Sequence, residues 1–482
     1  MDYDGGGGQQ QMKRTTVLLL PSLGPGHISP YLELSKRLSS HNFNVYLCST
    51  PANLNPLKPK LLAESSTITL VELHLPSTPQ LPPHYHTTNG LPPHLMPHLK
   101  LAFDSAATRS AFSSILMSVS PDLLIYDFLQ PWAPQLASSL LHIPAVLFLS
   151  TGAAMFAFAA HAYKFGRDNI NNEASFPFAS SIYLRDDREE RAFVSRMLEP
   201  TCGNEINDHN WVQLCQERSC SIILIKTFRE IEGKYLDYIS ELAGKRHVPV
   251  GPLLQKTTSS EEDGGRRISK WLDAKQTSST VFVSFGSEFF LSPDLIHEIA
   301  HGLELSGANF VWVLRFPLED QKSPNSAAAE ALPPGFLDRV GEKGLVVEGW
   351  APQSAILAHD SVGGFVSHCG WSSVMESMWY GVPIVAMPMH LDQPLNARLV
   401  EEIGVGVEVT RDGRSGKADR KEVAKVIREV VMGVEGNNGV GEKVRRKARE
   451  MSEVMKKKGD LEIDDVVHEL LQLCRSTSVN YN

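Results

Sequence analysis

TTVLLLPSLGPGHISPYLELSKRLSSHNFNVYLCST, residues 15–50, decides the architecture. The β-rich run TTVLLLP (15–21) gives way to a Gly-Pro-Gly loop. A helical stretch near 29–40 follows, and then a second apolar run, NVYLCST (44–50). Runs that are apolar at nearly every position suit strands covered on both faces, the condition of a parallel sheet with crossover helices. The same alternation continues through ITLVELHL (68–75), PDLLIYD (121–127), AVLFLST (145–151) and CSIILIKT (220–227). It breaks at VPVGPLLQKTTSSEEDGGRR (248–267), where Pro, Gly, Ser and charge take over, as in an exposed linker. It restarts with STVFVSFGS (279–287), NFVWVLRF (309–316), GLVVEGW (344–350), GGFVSHCG (363–370), PIVAMP (383–388) and GVGVEV (404–409).

The fold expected is α/β: two doubly wound Rossmann-like domains facing a central cleft. The expected division is a disordered tail at 1–14, an N-terminal domain at 15–250, a linker at 251–268 and a C-terminal domain at 269–459. A last helix at 460–482 is expected to pack back on the first domain. A formal charge of −9 removes general affinity for nucleic acid, which requires a basic face. Six scattered cysteines without a C-x-x-C pair read as free thiols of a reducing compartment. The apolar run after Lys13 and Arg14 is cut by Pro21 and Gly24, too short for a signal peptide. Ala145–Ala160 falls short of the roughly 20 residues that cross a bilayer. A cytoplasmic protein without membrane insertion is therefore expected.

In open parallel sheets, ligands collect at the carboxyl ends of the strands. The loops there are Gly24–Ser29, Asp127–Trp132, Ser150–Gly152, Phe285–Glu288 (with Ser287), Trp350–Gln353, His368–Glu376 and Pro388–Gln393. In HCGWSSVMES (368–377), a turn at Gly370 leads into a helix whose first turn carries Ser372 and Ser373. Free N–H groups and the positive end of the helix dipole suit a diphosphate, with no cation needed in principle. In the first half, His27 stands at a loop–helix junction. Its ordinary pKa near 6.5 suits a base that accepts a hydroxyl proton. Asp127, at the end of PDLLIYD, can hold the other ring nitrogen and stabilise the imidazolium; the alternative for Asp127 is a helix N-cap.

WAPQ (350–353), FVSHCGWSSVMES (365–377) and GVPIVAMPMHLDQ (381–393) together closely resemble the 44-residue donor box of plant family 1 UDP-glycosyltransferases. The resemblance implies that Trp350 stacks on uracil, that the Ala351 main chain meets its edge, and that Gln353 and Glu376 hold the ribose. It implies phosphate contacts from His368 and Ser373, and sugar contacts from Trp371, Asp392 and Gln393. Thr151 matches a further sugar-contacting position, and His27 and Asp127 match the catalytic pair. Ser372 stands where the family usually has Asn, so altered diphosphate contacts are expected. Gln393 is associated in the family with glucose rather than galactose.

The reaction implied is a single inverting displacement without a metal ion or bound cofactor, using UDP-glucose as co-substrate. ELHLPSTPQLPPHYHTTNGLPPHLMPHL (72–99), LLIYDFLQPWAP and SFGSEFFLS further resemble the sugar-chain-elongating branch of that family, with likeness from about 15 to 475. That resemblance implies a small-molecule glycoside acceptor (triterpenoid, flavonoid, lignan or apocarotenoid) and a new β-1,6 or β-1,2 bond. The alternatives within the family are an aglycone glucosyltransferase, or a rhamnosyl- or xylosyltransferase; the chain is expected to act as a monomer. The loops 76–99 and 165–218 are expected to line the acceptor side. His84, His86, His94 and His98 sit in an irregular Pro-rich setting, unlike a metal site. A nicotinamide oxidoreductase fits poorly: Ser29 replaces the third glycine of a G-x-G-x-x-G, and Cys48-Ser49-Thr50 ends the second strand without an acidic residue. A metal-dependent transferase would want a D-x-D at a strand end, and the triplet present, Asp2-Tyr3-Asp4, lies in the tail. A silent binding protein of the same fold is disfavoured by the intact His27, Asp127 and donor box.

Overall fold

Two all-parallel sheets carry the chain, each reversing its strand order between its first and fourth strands. In the first sheet β1 (Thr15–Leu20), β2 (Phe43–Ser49), β3 (Thr69–Glu72), β4 (Leu123–Tyr126), β5 (Ala145–Leu149), β6 (Ile222–Ile225) and β7 (Arg246–Pro249) lie in the order β3-β2-β1-β4-β5-β6-β7. In the second, β8 (Thr280–Ser284), β9 (Asn309–Leu314), β10 (Gly344–Glu348), β11 (Val362–Ser367), β12 (Ile384–Ala386) and β13 (Gly406–Glu408) lie in the order β10-β9-β8-β11-β12-β13. This computed structural model describes residues 14–64, 67–166, 175–194, 211–255, 263–317, 326–412, 416–433, 439–459 and 461–479. Outside them lie nearly all of the expected tail with its Asp2-Tyr3-Asp4, residues 256–262 of the expected linker, 167–174 and 195–210 of the expected acceptor loop, and Cys202.

The continuous apolar runs are explained by what covers them. Leu18 and Leu20 point into one core cluster and Val17 and Leu19 into another, so β1 is buried on both faces. β8 divides likewise, with Val281 and Val283 on one face and Phe282 on the other. Each fully buried Leu or Val contributes about 1.5–3 kcal/mol. One core cluster crosses from domain to domain: Trp371, Val374, Met375 and Met378 of the second half join Leu149, Ala153 and Phe156 of the first. The helix Leu461–Val479 places Ile463, Val466 and Leu470 in the cluster that holds Val17 and Leu19. In Val440–Lys458, Val444, Ala448, Met451 and Met455 are buried at helical spacing and the charged residues take the other faces.

The helix expected near 29–40 begins earlier, at Pro25, and ends at Ser40. Pro25 occupies the first helical position, where its missing N–H costs nothing and its fixed φ suits the helix; Gly24 is the N-cap. His27 consequently lies in the first turn of that helix. No helix among the described residues is long and apolar enough to cross a membrane. Cys48, Cys215, Cys220, Cys369 and Cys474 are free thiols.

Candidate active site

The two switch points bring the site residues together. β1 pairs with β4, placing Leu20 opposite Tyr126, so the loops that follow them meet. His27 comes from the first and Asp127 from the second, although 100 residues separate them. The imidazole Nδ1 is 2.7 Å from Asp127 Oδ2. An ionised carboxylate can only accept, so the ring proton resides on Nδ1 and Nε2 keeps its lone pair. Asp127 is fully buried, and its other oxygen accepts from Ser22 Oγ at 2.9 Å and from the Leu129 N–H at 3.3 Å. Gln130 Nε2 donates to Ser22 Oγ at 2.7 Å, which fixes that hydroxyl. Asp127 does not cap the next helix: Trp132–Leu141 begins after Pro131 without a side-chain cap. Ser150 Oγ lies 3.2 Å from the same Nδ1, and the Phe128 ring packs 5.5 Å from the imidazole. Burial lowers the His27 pKa, but the Asp127 carboxylate, with Glu288 and Asp392 farther off, outweighs it and holds the pKa above 6.5.

The second switch point lies between β8 and β11. Gly286 follows β8 and His368 follows β11. A Cβ on Gly286 would stand 2.6 Å from His368 Nε2, and one on Gly370 would stand 2.5 Å from it. Glycines at both positions thus leave room for the ring. Gly286 has a further reason to be glycine, its φ of +78°. Burial and the neighbouring His390 push the His368 imidazole down to about 4 despite the Ser284 backbone, so it is neutral at physiological pH. Ser287 is half-buried beside Gly286.

Helix Trp371–Tyr380 starts at Gly370 with no side chain capping its first turn, so its leading N–H groups are available. Ser373 Oγ accepts from Gln353 Nε2 at 3.1 Å, and Glu376 Oε2 accepts from the same amide at 2.9 Å. Trp350 is 56% exposed at the end of β10, whereas Ala351 behind it is buried. Trp371 lies in the core and its Nε1 donates to the Lys226 carbonyl at 2.6 Å. Gln393 is also buried; its Oε1 accepts from the Met389 and His390 N–H groups at 2.9 and 3.1 Å, pinning its own loop. Asp392 Oδ2 accepts from Asn396 Nδ2 at 2.8 Å and, across the cleft, from Thr151 Oγ1 at 2.8 Å. Just after Thr151 in the chain, the Ala153 and Ala154 N–H groups donate to Glu232 at 2.9 and 2.7 Å. Burial raises the Glu232 carboxyl to about 7.

The residues singled out from the sequence are held by the fold in different ways. Trp350 presents its ring outward, whereas Trp371 and Gln393 have their polar atoms engaged within the protein. Reading strand ends missed Ser22 and Lys226, and it gave no role to Gln130 and Ser150 although both lie inside loops it named. A signal existed for Lys226 in a lysine that closes the buried run IILI of β6. Among the described residues no three of His, Cys, Asp or Glu gather where they could hold a metal ion, His84, His86, His94 and His98 included.

Known proteins resemble this chain in sequence and in fold. Residues 13–255 match the family model described as "Glycosyltransferase, N-terminal domain", and residues 256–433 match "UDP-glucoronosyl and UDP-glucosyl transferase". A mogroside IIIx synthase of Siraitia grosvenorii is 52% identical over 459 residues, covering 93% of this chain and 96% of the relative. A beta-D-glucosyl crocetin beta-1,6-glucosyltransferase of Gardenia jasminoides is 46% identical over 467 residues, covering 96% and 100%. The crystal structure of a transferase from Siraitia grosvenorii in complex with UDP matches with a TM-score of 0.71 at 28% identity, covering 95% of this chain and 100% of that one. With two Rossmann-like domains of the GT-B type and relatives alike along nearly its whole length, the chain belongs to the plant UDP-glycosyltransferases.

Proposed function

We propose that this enzyme transfers glucose from UDP-glucose to a sugar hydroxyl of an existing small-molecule glycoside, forming a β-1,6 or β-1,2 bond without a metal ion. The observation that carries the chemistry is the His27–Asp127 contact of 2.7 Å, which leaves Nε2 as the basic nitrogen. In this reading, Nε2 takes the proton of the acceptor hydroxyl, the freed oxygen attacks the anomeric carbon, and the bond to the β-phosphate oxygen breaks with its electron pair leaving on UDP. Attack opposite the leaving group turns an α-linked donor into a β-glycoside. General-base assistance of this kind is worth roughly 10²- to 10⁴-fold.

The donor is assigned to the second half. Trp350 stacks on uracil with the Ala351 main chain on its edge, Gln353 and Glu376 hold the ribose, and His368, Ser287, Ser372, Ser373 and the helix N–H groups hold the diphosphate. Thr151 and Asp392 face the sugar, and Trp371 and Gln393, whose side-chain polar atoms are engaged within the protein, wall its subsite. The exposed Trp350 ring and the uncapped start of Trp371–Tyr380 support this assignment. The acceptor is assigned to the N-terminal half, with the division between halves at 251–268. Relatives named for mogroside IIIx and for glucosyl crocetin support a glycoside acceptor. The protein is taken to work as a cytoplasmic monomer.

The test is to incubate purified enzyme with UDP-glucose and a panel of aglycones beside their monoglucosides, and to read products by mass spectrometry. Diglucosides formed from monoglucosides are expected. Glucosylation of aglycones alone would overturn the acceptor assignment, and near-normal turnover by His27→Ala would overturn the base.

A further inference from the structure

Lys226 closes β6 of the first sheet and is 1% exposed. Its ammonium crosses the domain boundary and donates to Ser372 Oγ at 2.9 Å. That is its one hydrogen bond among the described residues, although an ammonium carries three donors. Its backbone is tied to the same helix, because the Lys226 carbonyl accepts from Trp371 Nε1 at 2.6 Å. The Glu376 and Glu33 carboxylates lie near enough to favour its charge, yet neither forms a salt bridge with it among the described residues. Burial prevails over both and pushes the lysine down to about 8. A buried cation with one neutral partner is costly, and an anion beside it relieves that cost.

The hydroxyl that receives this ammonium belongs to the second residue of an uncapped helix start. Two N–H donors of the lysine have no partner among the described residues, one hydrogen bond away from the place where the proposed function seats the diphosphate. His368 is neutral there and brings no full charge. We propose that Lys226, reaching from the acceptor-side domain, binds the donor's diphosphate together with Ser372. Its charge then stabilises the UDP that leaves as the anomeric C–O bond breaks and the electron pair passes to the β-phosphate oxygen. Lys226 keeps its proton throughout and acts by charge. An ammonium poised on the Ser372 hydroxyl offers a phosphate oxygen a charged donor, which makes a stronger hydrogen bond than a neutral one.

This inference rests on the donor-site assignment above, and calorimetry with UDP and with uridine separates the two. Uridine shares the base and ribose but lacks the phosphates. Wild-type enzyme is expected to bind UDP. Lys226→Met is expected to weaken UDP by about 10- to 100-fold, the range for a hydrogen bond to a charged group, and to leave uridine unchanged. Lys226→Arg keeps the charge and is expected to retain most of the UDP affinity. If Lys226→Met weakens UDP and uridine alike, Lys226 is only an interdomain pin; if UDP binding is unaltered, Lys226 does not touch the diphosphate. Either result overturns the proposal while the donor site stands. Wild-type enzyme that fails to bind UDP would sink the donor site itself. Should Lys226→Met not fold, Lys226→Gln, which keeps a donor for Ser372 but removes the charge, is judged by the same comparison.

Discussion

Thr151 Oγ1 donates to Asp392 Oδ2 at 2.8 Å, joining a loop of the first sheet to a loop of the second across the cleft, 241 residues apart in the chain. The bond ties the proposed sugar subsite to both domains at once. Asp392→Asn can still accept through its carbonyl but no longer offers a charge to a sugar hydroxyl. It is expected to lower kcat/KM for UDP-glucose by about 10- to 100-fold while leaving the Kd for UDP, which lacks the sugar, close to wild type. Steady-state kinetics beside UDP titration check the split, and equal losses in both would remove Asp392 from the sugar.

The His27–Asp127 pair makes a signed prediction about pH. Because the imidazole pKa is held above 6.5, the basic form is present only above that raised value. Activity is therefore expected to fall on acidification with a midpoint above 6.5. In Asp127→Asn the carboxylate that raises the pKa is gone and burial, which lowers it, remains. The acid limb of kcat/KM should move to lower pH while the maximum drops by roughly 10²- to 10⁴-fold. A pH–rate profile with an unmoved acid limb would contradict the pairing.

Gly370 tests the seat of His368 without a backbone penalty, since its φ is −57°. A methyl added there would stand 2.5 Å from His368 Nε2 and must displace the ring. Overpacking of this kind is worth about 1–3 kcal/mol, so Gly370→Ala is expected to weaken UDP about tenfold. Calorimetry reads the affinity and circular dichroism confirms the fold. Unchanged UDP affinity would mean that His368 does not contact the nucleotide.

Away from the chemistry, Arg398 and Glu408 form a buried ion pair, and Arg185 Nη1 reaches the same carboxylate at 3.0 Å from the first half of the chain. Glu189 adds a second contact to Arg398 at 3.3 Å. Arg398→Met leaves Glu408 buried with less compensation and is expected to destabilise the protein by about 3–5 kcal/mol. Arg398→Met with Glu408→Leu should recover much of that loss. Denaturant unfolding measures both, and a double variant no more stable than the single one would show that packing, not charge, is at stake.

The sequence by itself determined the alternation of buried strands and helices, because a parallel strand covered on both faces has no choice but to be apolar throughout. It also named the proposed donor-side residues from Trp350 to Gln393, which lie in one stretch whose spacing is visible without folding. His27 and Asp127 could be named for their chemistry and their place at strand ends. Only tertiary structure decided what separate segments do to one another. Strand order set β1 beside β4 and so brought an imidazole within 2.7 Å of a carboxylate 100 residues away. It turned Trp371 and Gln393 inward to internal partners, and it carried the ammonium of Lys226 across the domain boundary to Ser372. Periodicity reports which faces are buried; it carries no information about which strand ends become neighbours, and those neighbours set the hydrogen bonds and charges of the site.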